Sequence, residues 1–158
     1  MLAGRVTHTI LRFLDRITPK SRTPDDTPEH LLTGRRGEED AYFYLRRRGY
    51  TFIALNYRSP HHRGEIDLVG WDGDVLCFVE VKTRTSRAVK PAEAAVDREK
   101  QQELRLVARD FLRHMPASCQ WRFDVIAVYY EEGFHHPAFE LFQNAFPVAY
   151  NRHFAQRY

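Results

Sequence analysis

The sequence predicts an α/β layered domain in which a helix, three strands, a second helix and a fourth strand follow one another. Apolar residues recur at helical spacing over residues 33–48 and again beyond Pro91. Two alternating runs, 64–71 and 74–82, flank Asp72-Gly73, a strong signal for a two-residue hairpin turn. Residues 119–130 (CQWRFDVIAVYY) form the near-continuous apolar run of a buried strand.

The first helix is expected to start at Thr33, whose hydroxyl can accept an orphan backbone N–H, and to stop at Gly49 after Arg46, Arg47 and Arg48. Cations late in a helix oppose its macrodipole, which gives this arginine run a structural cause. Glu38, Ala41 and Leu45 fall at i, i+3 and i+7, so a carboxylate shares the apolar stripe. Residues 50–57 (YTFIALNY) are aromatic and β-branched and read as the first strand, followed by the polar loop RSPHHRG. The second helix is expected from just after Pro91 to about His114, ended by Pro116, with Val96, Lys100, Leu104, Val107 and Phe111 along one face. FELFQNAF, 139–146, offers a further edge strand. Upstream, TPKSRTPDDTP holds three prolines and reads as a linker. Residues 1–32 are therefore expected to form an N-terminal extension, 33–146 the domain and 147–158 a tail.

A chain of 158 residues, 43% apolar and 13% aromatic, is expected to form one domain with a real core and is too apolar for global disorder. Cys77 and Cys119 sit in separate apolar runs, and without a secretory context they point to a reducing compartment. The opening MLAGRVTHTILRFLDRI is broken by Arg5, Arg12, Asp15 and Arg16, so it lacks the apolar stretch of a signal peptide or membrane span. The expectation is a cytoplasmic protein with no membrane partner. Net charge is only +3, and the sole lysines are Lys20, Lys82, Lys90 and Lys100. Arginine's planar fork suits phosphate oxygens, though GC-rich codon usage accounts for the bias equally well. Neither the cysteines nor His61-His62 nor His135-His136 have zinc-site spacing. Trp71 and Trp121 read as core rather than as base-stacking platforms.

Counting outward from a turn at Asp72-Gly73 sets Asp67 opposite Phe78, Glu65 opposite Glu80 and Arg63 opposite Lys82. Residues two apart on a strand share a face, so Glu65, Asp67, Glu80 and Lys82 gather on one side. Ile66, Leu68, Cys77, Val79 and Val81 then form an apolar second face. Carboxylates this close repel, and they coexist only with a cation or a raised pKa. Lys82 relieves part of that charge. A magnesium or manganese ion would relieve more, with Asp67 and Glu80 as ligands, the Val81 carbonyl as a candidate third, and room left for substrate phosphate. The competing explanation is an exposed sheet face with ordinary cross-strand ion pairs. Arg58, Arg63, Arg84 and Arg87 flank these acids in sequence and are candidate nucleic-acid contacts, as a basic rim around an acidic centre suits a phosphodiester. His61 and His62 could reach phosphate too, though a solvated loop explains them more simply.

GRRGEEDAYFYLRRRGY, NYR, GEIDLV, FVEVKTR, AVDREKQ and RFDV occur in this order over residues 34–125. Together they resemble the YraN-like family of uncharacterised small proteins, within the restriction-endonuclease-like PD-(D/E)XK superfamily. The resemblance implies a mixed sheet flanked by helices and a metal-dependent DNA nuclease acting on branched or structured DNA. It implies Asp67 and Glu80 as metal-binding acids, Lys82 as the catalytic lysine and Glu38 as a further acid from the first helix. Lys100 and Gln101 match an accessory pair in the second helix. Two loops depart from the family pattern: RSPHHRG is longer, and SRAVKPAEA lacks an aromatic-Gly pair. A homodimer is compatible with this reading. The alternative is a non-catalytic nucleic-acid-binding or scaffold protein that keeps the nuclease fold. A third reading makes the acidic face plain surface and residues 1–32 a docking arm.

Overall fold

A computed structural model of the chain describes residues 29–85, 96–131, 133 and 135–148. The N-terminal extension up to residue 28, Arg87 with the rest of 86–95, and the tail from residue 149 lie outside the described residues. Helix α1 (Glu29–Arg47) precedes strands β1 (Thr51–Arg58), β2 (Glu65–Asp72) and β3 (Val75–Arg84). Helix α2 (Arg98–Leu112), β4 (Gln120–Tyr129) and β5 (Ala138–Phe142) follow. The protein is thus α/β, with the expected αβββαβ order and β5 as the extra edge strand.

The five strands lie in sequence order in one mixed sheet, antiparallel except where β3 and β4 run parallel. A parallel pair needs a crossover, and α2 supplies it. The central strands are buried on both sides, so β3 and β4 carry nearly unbroken apolar runs. One face packs Leu68, Cys77, Val79, Val81, Ile126 and Val128 against Ala41 and Leu45 of α1. The other packs Val69, Leu76, Phe78, Phe123 and Val125 against Leu104, Val107 and Ala108 of α2. Trp71 and Trp121 border this second cluster, as core residues should.

Both helix starts differ from the sequence expectation. Helix α1 already exists at Glu29, so Thr33 lies inside it rather than capping it, and Gly34 and Gly37 do not interrupt the helix. Its end is as expected, a Schellman closure with Tyr50 N–H donating to the Leu45 carbonyl and Gly49 N–H to that of Arg46. At its middle α1 approaches β3 so closely that a Cβ on Gly37 would collide with Thr83. Helix α2 begins at Arg98, seven residues beyond Pro91, because Asp97 caps it by accepting the Lys100 N–H at 2.8 Å.

The hairpin turn is also shifted. Asp72 pairs with Val75, so the two-residue turn is Gly73-Asp74, with Gly73 at φ +58° in the first turn position. Glycine first, rather than Asp-Gly, sets the register, and Phe78 faces Val69 instead of Asp67. The slip is two residues across the ladder, which leaves the paired side chains on their expected faces. One apolar residue is an exception: Ile66 packs in the α2-side cluster while Leu68 packs under α1, so β2 is irregular around Asp67.

Candidate active site

Strands β2 and β3 pair from Asp72–Val75 as far as Leu68–Val79, although both continue beyond that point. Where the ladder stops, the Asp67 carboxylate takes the backbone N–H of Val81 at 2.7 Å in place of a strand partner. The hairpin thus opens at the two residues between which the sequence put a cation.

Asp67 and Glu80 are only 8% and 4% exposed, which excludes a solvent-facing sheet surface with ordinary ion pairs. The expected apolar face lies under α1, yet the acid-bearing side is no open surface either, since α2 packs along it. Burial pushes Asp67 up to about 8, helped by the charges of Glu80 and Glu38 and opposed by the Val81 N–H and Lys100. Lys82 Nζ sits 2.9 Å from Glu80 Oε1, and Lys100 Nζ, from the first turn of α2, reaches the same oxygen at 3.4 Å. The other oxygen, Glu80 Oε2, is buried without any hydrogen-bond partner. An unmatched buried carboxylate oxygen is costly and marks a place where a cation fits. Among the described residues no three His, Cys, Asp or Glu side chains gather as a metal cage. Magnesium does not require one, because it retains several waters beside one or two carboxylates.

Glu38 stands at the margin of this centre. Its pKa is raised by burial first, then by Glu65, against a side-chain hydrogen bond from Asn56, with Glu80 a smaller raising influence. Asn56 was not singled out from the sequence. It adopts a left-handed conformation (φ +48°) inside β1, and the NYR motif was the only available signal for it. Glu65 is neutralised by Arg58, whose Nε and second guanidinium nitrogen lie 2.7 and 2.6 Å from it.

The remaining candidates separate. Gln101 turns away from the acids, donating to the Val96 carbonyl and accepting from Arg105. Arg58 is committed to Glu65, and Arg84 is partly buried, its Nε enclosed without a hydrogen-bond partner. Arg63 is exposed and joins no ion pair among the described residues.

Fold and site together define a small α/β protein with a buried two-carboxylate, two-lysine centre at the split of a hairpin. The family model described as "Uncharacterised protein family UPF0102" matches residues 37–128, and the chain belongs to that family. A UPF0102 protein of Koribacter versatilis is 54% identical over 123 residues, covering 78% of this chain and 83% of its own length. One from Solibacter usitatus is 47% identical over 116 residues, covering 72% and 84%. A third, from Chlorobaculum tepidum, is 43% identical over 98 residues, covering 60% and 73%. No helix among the described residues is long and apolar enough to cross a membrane.

Proposed function

We propose that the protein is a magnesium- or manganese-dependent nuclease that hydrolyses DNA phosphodiester bonds in branched or structured substrates. The observation that carries this reading is the buried, unpartnered Glu80 Oε2 beside the proton-retaining Asp67, a charge arrangement completed by a divalent cation. The donor set fits a hard, oxygen-seeking ion, which Asp67 and Glu80 would hold. Such an ion supplies Lewis-acid stabilisation of phosphate charge and a more acidic water. The chain's own groups do the rest. Lys82 places an ammonium 2.9 Å from Glu80 Oε1, where it can orient a nucleophilic water or offset charge developing on a phosphate oxygen. Lys100 adds a second cation from the facing helix, and Glu38 a third carboxylate at the rim. The ordered motifs from GEIDLV to RFDV, resembling PD-(D/E)XK nucleases, support the same chemistry.

The test is cleavage of linear, single-stranded, flapped and four-way DNA with Mg²⁺ or Mn²⁺. Asp67→Ala and Glu80→Ala should each lower the rate by about 10²–10³-fold, as expected for losing a group that stabilises transition-state charge. If the wild type cleaves none of these substrates with either metal but binds them in a salt-sensitive way, the nuclease reading falls. The protein is then a nucleic-acid-binding or scaffold protein on a nuclease-like fold.

A further inference from the structure

The loop between β1 and β2 is built with more care than a solvated connector needs. Ser59 is 9% exposed, and its hydroxyl donates to Asp110 Oδ2, a carboxylate of α2 that is itself 3% exposed. The same hydroxyl accepts the backbone N–H groups of His61 at 3.0 Å and His62 at 3.1 Å. His62 Nε2 lies 3.9 Å from Asp110 Oδ2, and an Arg113 guanidinium nitrogen lies 3.4 Å from Asp110 Oδ1. The loop's far end, Gly64, sits against Glu103 of α2. A buried acid is an expensive anchor for a loop, and this one holds the backbone of residues 59–62 while the His61 and Arg63 side chains remain exposed.

These pieces share one helix with the carboxylate centre. Lys100, Glu103 and Asp110 touch Glu80, Gly64 and Ser59 in turn. Lys100 and Asp110 are separated by roughly three turns, about 15 Å of helix. The loop runs back along that length of α2, from Ser59 at Asp110 to Gly64 at Glu103, and so carries Arg63, the residue before Gly64, toward the acids, where a cation suits a phosphate adjoining the one they would meet. Arg58 cannot play that part because Glu65 neutralises it, whereas Arg63 has no such partner among the described residues.

We infer that residues 59–63 form a preorganised grip for the phosphodiester backbone of DNA. Arg63 and His61 make the contact, and Ser59 and Asp110 are positioning residues that hold the loop on α2. The inference rests on the nuclease reading for its substrate and adds a second contact point outside the acids. Holding the loop in place before binding lowers the ordering cost of the encounter.

The experiment measures equilibrium binding of a labelled four-way DNA junction, in EDTA across a salt series, to the wild type, Arg63→Ala and Ser59→Ala. Metal-supported cleavage by the same proteins is followed in parallel. Arg63→Ala should reduce the slope of log affinity against log salt by about one. Ser59→Ala, with the loop cations intact, should weaken binding and raise KM while kcat stays close to wild type. Arg63 is exposed, so its variant does not depend on surviving a core change, and thermal melting checks the fold of Ser59→Ala. If the wild type cleaves and both variants bind and cleave as it does, the grip is refuted while the nuclease reading stands. If the wild type neither binds nor cleaves DNA, both fall.

Discussion

The central strands carry two buried polar clusters that treat their carboxylates in opposite ways. Asp124, which pairs with Val79 and alternates toward the α1 face, is fully buried and every oxygen has a partner: Arg122 Nε reaches Oδ1 at 2.8 Å, Asn144 N–H donates to Oδ1, and the Tyr50 hydroxyl donates to Oδ2. Arg122 also reaches Asp72 at 2.6 Å, and Gln143 joins Tyr50 to the same acid. One register position along, Asp67 and Glu80 have two lysines on one oxygen, a single backbone N–H on another, and nothing on Glu80 Oε2. A satisfied network of this kind ties β2, β4 and the chain around β5 together, and it is architecture. An incompletely satisfied one stores electrostatic strain that an external cation can release. Burial alone therefore does not separate these two clusters; the unmatched oxygen of Glu80 does.

That contrast can be broken most directly at Asp124. Asp124→Ala should destabilise the protein by about 3–5 kcal/mol in urea unfolding, because it leaves the Arg122 Nε and the Asn144 N–H without their acceptor in a buried site. A loss below about 1 kcal/mol would dissolve the distinction between the two clusters. Asp67→Asn should do the reverse in EDTA. It keeps an oxygen for the Val81 N–H, removes a charge the fold resists, and should raise Tm at pH 8 by roughly 3–6 °C. The sign follows from linkage. The folded protein holds the Asp67 proton up to about pH 8, whereas the unfolded chain releases it near 3.8, so stability from this group is greatest in acid and declines across that interval. The Asp67→Asn variant lacks this slope, and saturating Mg²⁺ should flatten it in the wild type; parallel melting curves in EDTA would contradict the strain. The smallest effect belongs to Arg58→Ala. Arg58 is an exposed partner of Glu65, and its loss should cost at most about 1 kcal/mol in the same unfolding assay.

Much of the fold was legible because face assignment depends only on the two-residue period of a strand. The turn lies at Gly73-Asp74 rather than Asp72-Gly73, but the resulting two-residue slip leaves Glu80 and Lys82 on their common side, and Asp67 reaches them through the Val81 N–H where β2 is irregular. Glu38 was legible as a carboxylate on the stripe of Ala41 and Leu45, since both apolar residues are fully buried. What escaped depends on distant partners. Nothing local in RFDV states that Asp124 meets Tyr50 and Asn144, or that Ser59 of the β1–β2 loop meets Asp110 of α2. The left-handed Asn56 and the split of β2 from β3 at Asp67 are likewise tertiary outcomes, because no spacing rule distinguishes an open ladder from a closed one. Pro91 draws the expected start of α2 upstream, although Asp97 stands in plain view as a better cap.

The contact between Gly37 and Thr83 leaves α1 no spacer above β3. Glu38, the next residue along the helix, therefore rides at a height set by the absence of a methyl group. A side chain at position 37 must either displace the Thr83 side chain or act as a wedge that lifts the helix, and the wedge carries the Glu38 carboxylate away from Glu65 and Glu80 without altering one charge. The reach of that acid is thus tied to the close fit of a residue with no chemistry of its own against Thr83.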